Sequence, residues 1–203
     1  MRWDDLFDDL EGQLEQELSV EDVHVRAEEE RLRIGRLGLR DRLAVLARHS
    51  ALAGSVDSDA VDVVLTDGSG ITLRLTSVGK DWIAGDVVAG SPLRAGAIIP
   101  VSAIAAVTMT PAGSALSLRA EPSGGPSANL ESRLGLPFVL RDLCRRRIAV
   151  DLVTSWTRLH GTIDRVGRDH LDLAEHDADA PRRDGAVRRI RSIASAAIVI
   201  VRF

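Results

Sequence analysis

The stretch Ile148–Phe203, IAVDLVTSWTRLHGTIDRVGRDHLDLAEHDADAPRRDGAVRRIRSIASAAIVIVRF, decides the fold. Short β-branched runs alternate with turn residues, the pattern of a small antiparallel barrel. Period-2 alternation puts Val150, Leu152, Ile163, Val166, Leu171, Leu173, Ile190, Ile193, Ile198 and Ile200 on the inward side. Five short strands left open would present edges to solvent, and closure removes them.

The same order is legible upstream. Ala60–Thr66 alternates, Asp67-Gly68 is a hairpin signal and Ile71–Val78 alternates again. Trp82–Val88, Ala97–Val101 and Ala105–Thr110 complete five strands. Three local matches support an internal repeat: Arg36-Leu37-Gly38-Leu39 with Arg133-Leu134-Gly135-Leu136, Val78-Gly79-Lys80-Asp81 with Val166-Gly167-Arg168-Asp169, and Ala103-Ile104-Ala105 with Ser192-Ile193-Ala194. Their offsets leave room for one insertion, near residues 50–60. The Pro/Gly/Ser-rich stretch Pro111–Ser132 reads as a flexible connection. The expected fold is mainly β with an α-helical N-terminus: tandem duplicated five-stranded barrels, each preceded by a short helix. The expected boundaries are 1–38 for an acidic helical segment, 39–111 for the first module, 112–132 for the linker and 133–203 for the second module. A module of about 60 residues buries only about 60% of its unfolded surface, so the copies, the helices or a second subunit must share a core.

The N-terminal segment carries Trp3, Leu6, Phe7, Leu10 and Leu14 as one apolar stripe on an acidic helix. Ser19 opens a second helix running to about Arg33, with Val20, Val23, Ala27 and Ile34 on one face; Leu39–Arg48 reads as a third. Either these helices fold back on the strands or they contact another chain. Anionic lipid is a poor match for an acidic polar face.

At 45% hydrophobic and 28% charged, 203 residues suffice for a core, and with 3% aromatics that core is aliphatic. The net charge of −4 divides unevenly: residues 1–30 hold twelve carboxylates against Arg2 and Arg26, leaving an excess of basic groups in the rest. A lone Cys144 excludes a disulfide within these residues and a Cys-rich zinc site. With no apolar leader pattern, the expected location is cytoplasmic.

The helix-plus-five-strands order, with Asp164-Arg165-Val166-Gly167-Arg168-Asp169 at the second hairpin and Ile190-Arg191-Ser192-Ile193 near the end, resembles the Sm-like (SH3-type) barrel. That resemblance implies short barrels that assemble into rings and bind RNA. It places Asp164 and Ile190-Arg191-Ser192 at family motif positions. The family's base-gripping Asn has no counterpart, since Asp169, His170 and Asp172 stand there, and Ser192 replaces the motif's Gly. The whole chain also resembles a two-module family of high-GC Gram-positive bacteria.

No P-loop, dinucleotide fingerprint or nucleophile elbow is present, so the expectation is a protein without enzymatic activity, cofactor or small-molecule substrate. His160, Asp164, His170, Asp172 and His176 lie in or beside one hairpin, with His160 opposite His176 if the loop is Gly167-Arg168-Asp169. The favoured reading is a solvated polar face with no metal; the alternative is a zinc or other divalent-ion site on His160, His170 and His176. Arg145, Arg146, Arg147, Arg188, Arg189 and Arg191 are candidates for binding nucleic acid or an acidic partner. Arg182 and Arg183 lie near the last three. Trp82 occupies the position of His170 in the first copy, as a contact between modules or a rim residue of the first core. The function expected is a scaffold or interaction protein, self-associating or binding a partner through Trp3, Leu6, Phe7, Leu10 and Leu14. The alternative is an RNA- or DNA-binding protein using the second module's arginines.

Overall fold

A computed structural model describes residues 22–53, 60–88, 95–120, 130–177 and 187–203. The stripe Trp3, Leu6, Phe7, Leu10 and Leu14 lies outside them, as do Val20, Arg182 and Arg183. Helix α1 covers 22–35 and α2 Leu39–Ala53; then come β1 Ala60–Leu65, β2 Gly70–Val78, β3 Trp82–Val87, β4 Gly96–Pro100 and β5 Ile104–Thr108. Helices α3 (Pro111–Ser117) and α4 (Leu136–Arg145) precede β6 Ala149–Thr154, β7 Arg158–Val166, β8 His170–Glu175, β9 Arg189–Ala194 and β10 Ile198–Arg202.

The expectation of two separately closed barrels is corrected: the strands form one ten-stranded antiparallel sheet in the order β5-β1-β2-β3-β4-β10-β6-β7-β8-β9. The reason is a seam at its centre. Strand β4 pairs with β10, Val201 opposite Ile98 and Arg202 opposite Ala97, and Gly96 and Phe203 exchange backbone hydrogen bonds of 3.0 and 2.9 Å. That pairing satisfies the β4 edge that closure would otherwise have to cover.

On either side of the seam the register is the same. Adding 88 to each residue number of the β2–β3 pairing gives the β7–β8 pairing, down to the bulge that skips Thr76 in one and Asp164 in the other. Adding 89 on β1 and 94 on β5 turns the β1–β5 pairing into β6–β10, again with its irregularity. The β1–β2 pairing maps onto β6–β7 by 89 and 88, and β3–β4 onto β8–β9 by 88 and 94. These offsets correct the third sequence match. Ile193 is the counterpart of Ile99, and Ile104 that of Ile198. A connection six residues longer between β8 and β9 than between β3 and β4 had shifted that match, so the insertion near residues 50–60 is not the only one.

Two cores result. Leu43, Leu46 and Ala47 of α2 cover Val61, Val63, Leu65, Leu73 and Leu75, while Leu136, Leu140 and Leu143 of α4 cover Val150, Leu152, Ile163, Leu171 and Leu173. Leucines spaced by three and four make the apolar stripe each helix needs. The cores trade residues across the seam: Val153, Val199 and Ile200 pack in the first, Trp82 and Ile98 in the second. Ile200 thus faces the opposite core from the one expected. Ile190, expected inward, is 60% exposed on the edge strand β9, and Val166 is only partly buried.

The expected flexible connection begins with a helix. Thr110 Oγ1 accepts the Gly113 amide at 3.0 Å and Pro111 takes the first turn, where no amide is needed. Buried Ser117 then accepts the Arg42 Nε–H at 3.0 Å, tying α3 to α2. Among the described residues no helix is long and apolar enough to cross a membrane.

Candidate interaction surface

Sequence points to three surfaces; the arginines and the histidine hairpin fall among the described residues, while the apolar stripe of the third lies outside them and only the helix that follows it is described. The first is the arginine set. Arg145, Arg146 and Arg147 end α4, where cations face the negative end of the helix dipole. Arg145 and Arg146 reach Asp142 at 2.6 and 2.8 Å, and Arg147 reaches Asp164 at 3.0 Å. Arg188, Arg189 and Arg191 lie at β9, two strands beyond the β7 on which α4 packs. Arg188 meets Asp177 at 2.7 Å; Arg189 and Arg191 share Glu175 at 3.5 and 2.5 Å. Six guanidinium groups therefore engage four carboxylates, a balance of +2 within the set. Arg191 also lies 5.6 Å from the ring centroid of exposed Trp156, a cation–π distance.

Arg147 has φ 55°, the only positive-φ non-glycine among the described residues. It terminates α4 in a Schellman turn, with the Ile148 amide donating to Leu143 O and the Arg147 amide to Cys144 O. Its partner Asp164 is the bulge residue, and Asp164 O accepts the Cys144 Sγ–H at 3.3 Å. The position singled out by the Sm-like resemblance thus joins α4 to the β7–β8 hairpin.

The second surface is the histidine hairpin. Its loop is Gly167-Arg168-Asp169 as read, and His160 and His176 meet edge to face with centroids 5.3 Å apart. His160 Nδ1 contacts Asp151 Oδ1 at 2.8 Å, across a β6–β7 pair. His176 Nδ1 donates to Asp177 O, and its Nε2 lies 2.9 Å from Thr162 Oγ1. Both side chains are buried, and the contact joins β7 to the end of β8. Thr162 carries no signal in the sequence. His170 instead opens β8, exposed and 2.9 Å from Asp169 Oδ1, and the His170 imidazole holds that carboxyl below its ordinary range. Among the described residues no three His, Cys, Asp or Glu converge on a metal position.

The third surface is helical. Residues 22–32 of α1 are exposed on every side, including Val23, Val25 and Leu32, and the helix meets the body only near its end. There the Arg33 guanidinium donates to Leu118 O and Ala120 O, the carbonyls that close α3. Residues 22–32 do not pack on the sheet.

Trp82 is buried against the α4 core, and its Nε1–H donates to Leu134 O at 2.9 Å. No sequence periodicity reveals that contact, because Trp82 alternates correctly for its own module. Comparison with family models, with curated proteins and with solved structures found no match to this chain.

Proposed function

We propose that this chain is a duplicated helix-plus-five-strand module, Sm-like in each copy, that acts as a non-catalytic interaction protein. The observation that carries the duplication is the common register: four strand pairings on one side of the seam map residue for residue onto four on the other, including both irregularities. Independent folds do not repeat their bulges at fixed offsets. The interaction role is supported by α1, a helix that leaves Val23, Val25 and Leu32 in solvent and continues the acidic N-terminal segment. A helix gains most of its stability from packing one face, and this exposed apolar face is one that a partner surface can cover.

The arginine surface favours protein over polyanion. Counterion release from nucleic acid needs cations free to meet phosphates, and here each of the six is already engaged with a carboxylate. Affinity purification of the tagged chain from its native cell, with and without nuclease, separates the readings. A protein that co-purifies after nuclease treatment supports the proposal. Co-purification that nuclease abolishes, with binding lost in Arg188→Ala/Arg189→Ala/Arg191→Ala, would replace it with nucleic-acid binding.

A further inference from the structure

Helix α1 stands away from the sheet: residues 22–32 are exposed, and burial begins at Arg33 and Ile34. The Arg33 guanidinium works in two directions. Its Nη1 donates to Ala120 O and its Nη2 to Leu118 O, both at 2.5 Å, two carbonyls just past the end of α3. From within α1, Glu30 accepts the Nε–H at 2.6 Å and an Nη2–H at 2.7 Å, which orients the fork from behind. Carbonyls at the C-terminal end of a helix lack amide partners, and a planar guanidinium can serve two of them at once.

The end of α3 is in turn fixed to α2. Buried Ser117 accepts the Arg42 Nε–H at 3.0 Å and donates to Ser114 O at 2.7 Å, while Ser114 Oγ accepts an Arg42 Nη2–H at 3.4 Å. Ala120, which receives Arg33, is itself buried. Side-chain hydrogen bonds therefore lead from α1 through α3 to α2, bypassing the covalent link between α1 and α2. That link is Gly35-Arg36-Leu37-Gly38. Two glycines in four residues leave the backbone many directions to take, so the link alone does not set the angle of α1.

We propose that Arg33 is a latch: its bonds to the end of α3 fix the direction of α1, and without them α1 pivots about Gly35. Arg33 is thus a positioning residue for the helix that leaves Val23, Val25 and Leu32 in solvent. What the latch serves rests on the reading of α1 as a partner surface. A helix held at one angle has less orientational freedom to lose on binding than one that swings, so the closed latch favours association.

The test is a distance distribution from pulsed electron–electron resonance on the full chain. Nitroxides are attached at Glu29→Cys on α1 and Ala106→Cys on β5, both exposed, with Cys144→Ser removing the native thiol while keeping a donor for Asp164 O. Glu29 lies about 9 Å along the helix from Gly35, so a pivot of about 30° carries the label about 5 Å. The expected result is a narrow distribution for the parent and one wider by about 5 Å for Arg33→Ala. Arg33→Lys keeps the charge without the fork and should widen the distribution too, which guards against a loss of fold in the alanine variant. A parent as broad as both variants overturns the latch, and so do variants as narrow as the parent. Arg31→Ala, whose side chain is 80% exposed and pairs with Glu28 in the same helix, should leave the width unchanged. Widening there would mean that any lost charge frees α1, and would remove Arg33 from the role. Failure of the partner reading looks different: a narrow parent, wide Arg33 variants and no co-purifying protein would end that reading and leave the latch standing.

Discussion

Trp82 is where the two halves depend on one side chain. Its ring fills the α4 core and its indole N–H shares Leu134 O with the Lys80 amide. Because that carbonyl keeps the Lys80 amide, Trp82→Phe leaves no buried acceptor bare and should cost about 1 kcal/mol. Trp82→Ala removes the packing too and should cost about 3–5 kcal/mol. Urea denaturation midpoints compare the two; equal losses would mean that the hydrogen bond, not the ring, matters. Arg147 offers the reverse case. Glycine at its φ of 55° relieves left-handed strain of about 1 kcal/mol, while the lost pair with Asp164, on a side chain 58% exposed, contributes little. Arg147→Gly should therefore be neutral or stabilising in thermal melts, and a loss above about 1 kcal/mol would give the Asp164 pair a larger role. A contact with the other half was one of two readings of Trp82, and its packing against α4 decides between them, whereas an arginine ending a helix reads as ordinary until the turn is known.

At the scale of elements the sequence served better. Strand alternation and the Asp67-Gly68 turn located the five strands of the first copy to within about two residues, since period 2 depends on local burial alone. Ile190 failed because β9 is an edge strand, and an alternating pattern does not say which strand lies outermost. The third repeat match failed because three small or β-branched residues recur in most strands, and a longer β8–β9 connection moved the frame. Helix α3 was hidden by composition: PAGS reads as a turn, although Thr110 followed by Pro111 is also a helix start. Its cap is testable. Thr110→Ala should cost about 1 kcal/mol and loosen the contact of α3 with α2, read as faster amide exchange at Gly113 and Ser114.

Across the whole molecule, the seam ties the two cores together. Each core holds residues from the other half, Val153, Val199 and Ile200 on one side and Trp82 and Ile98 on the other, so neither half keeps its core if the other unfolds. Thermal and urea unfolding should show a single transition by near- and far-ultraviolet circular dichroism alike; two separated transitions would indicate halves that fold alone. The need for a shared core could be anticipated from module size, but the strand pairing that supplies it could not, because β4 and β10 are separated by nearly half the chain. The central claim, that β4 and β10 fuse the halves into one sheet, is tested most directly by native-state hydrogen exchange at β4. The Gly96 amide donates to Phe203 O, and strand alternation turns the Ile98 amide toward β10 as well. Both should exchange only through global unfolding, with the same free energy as Leu73 in β2. Exchange at Gly96 and Ile98 as fast as at a solvent-facing edge, with Leu73 still protected, would contradict the seam.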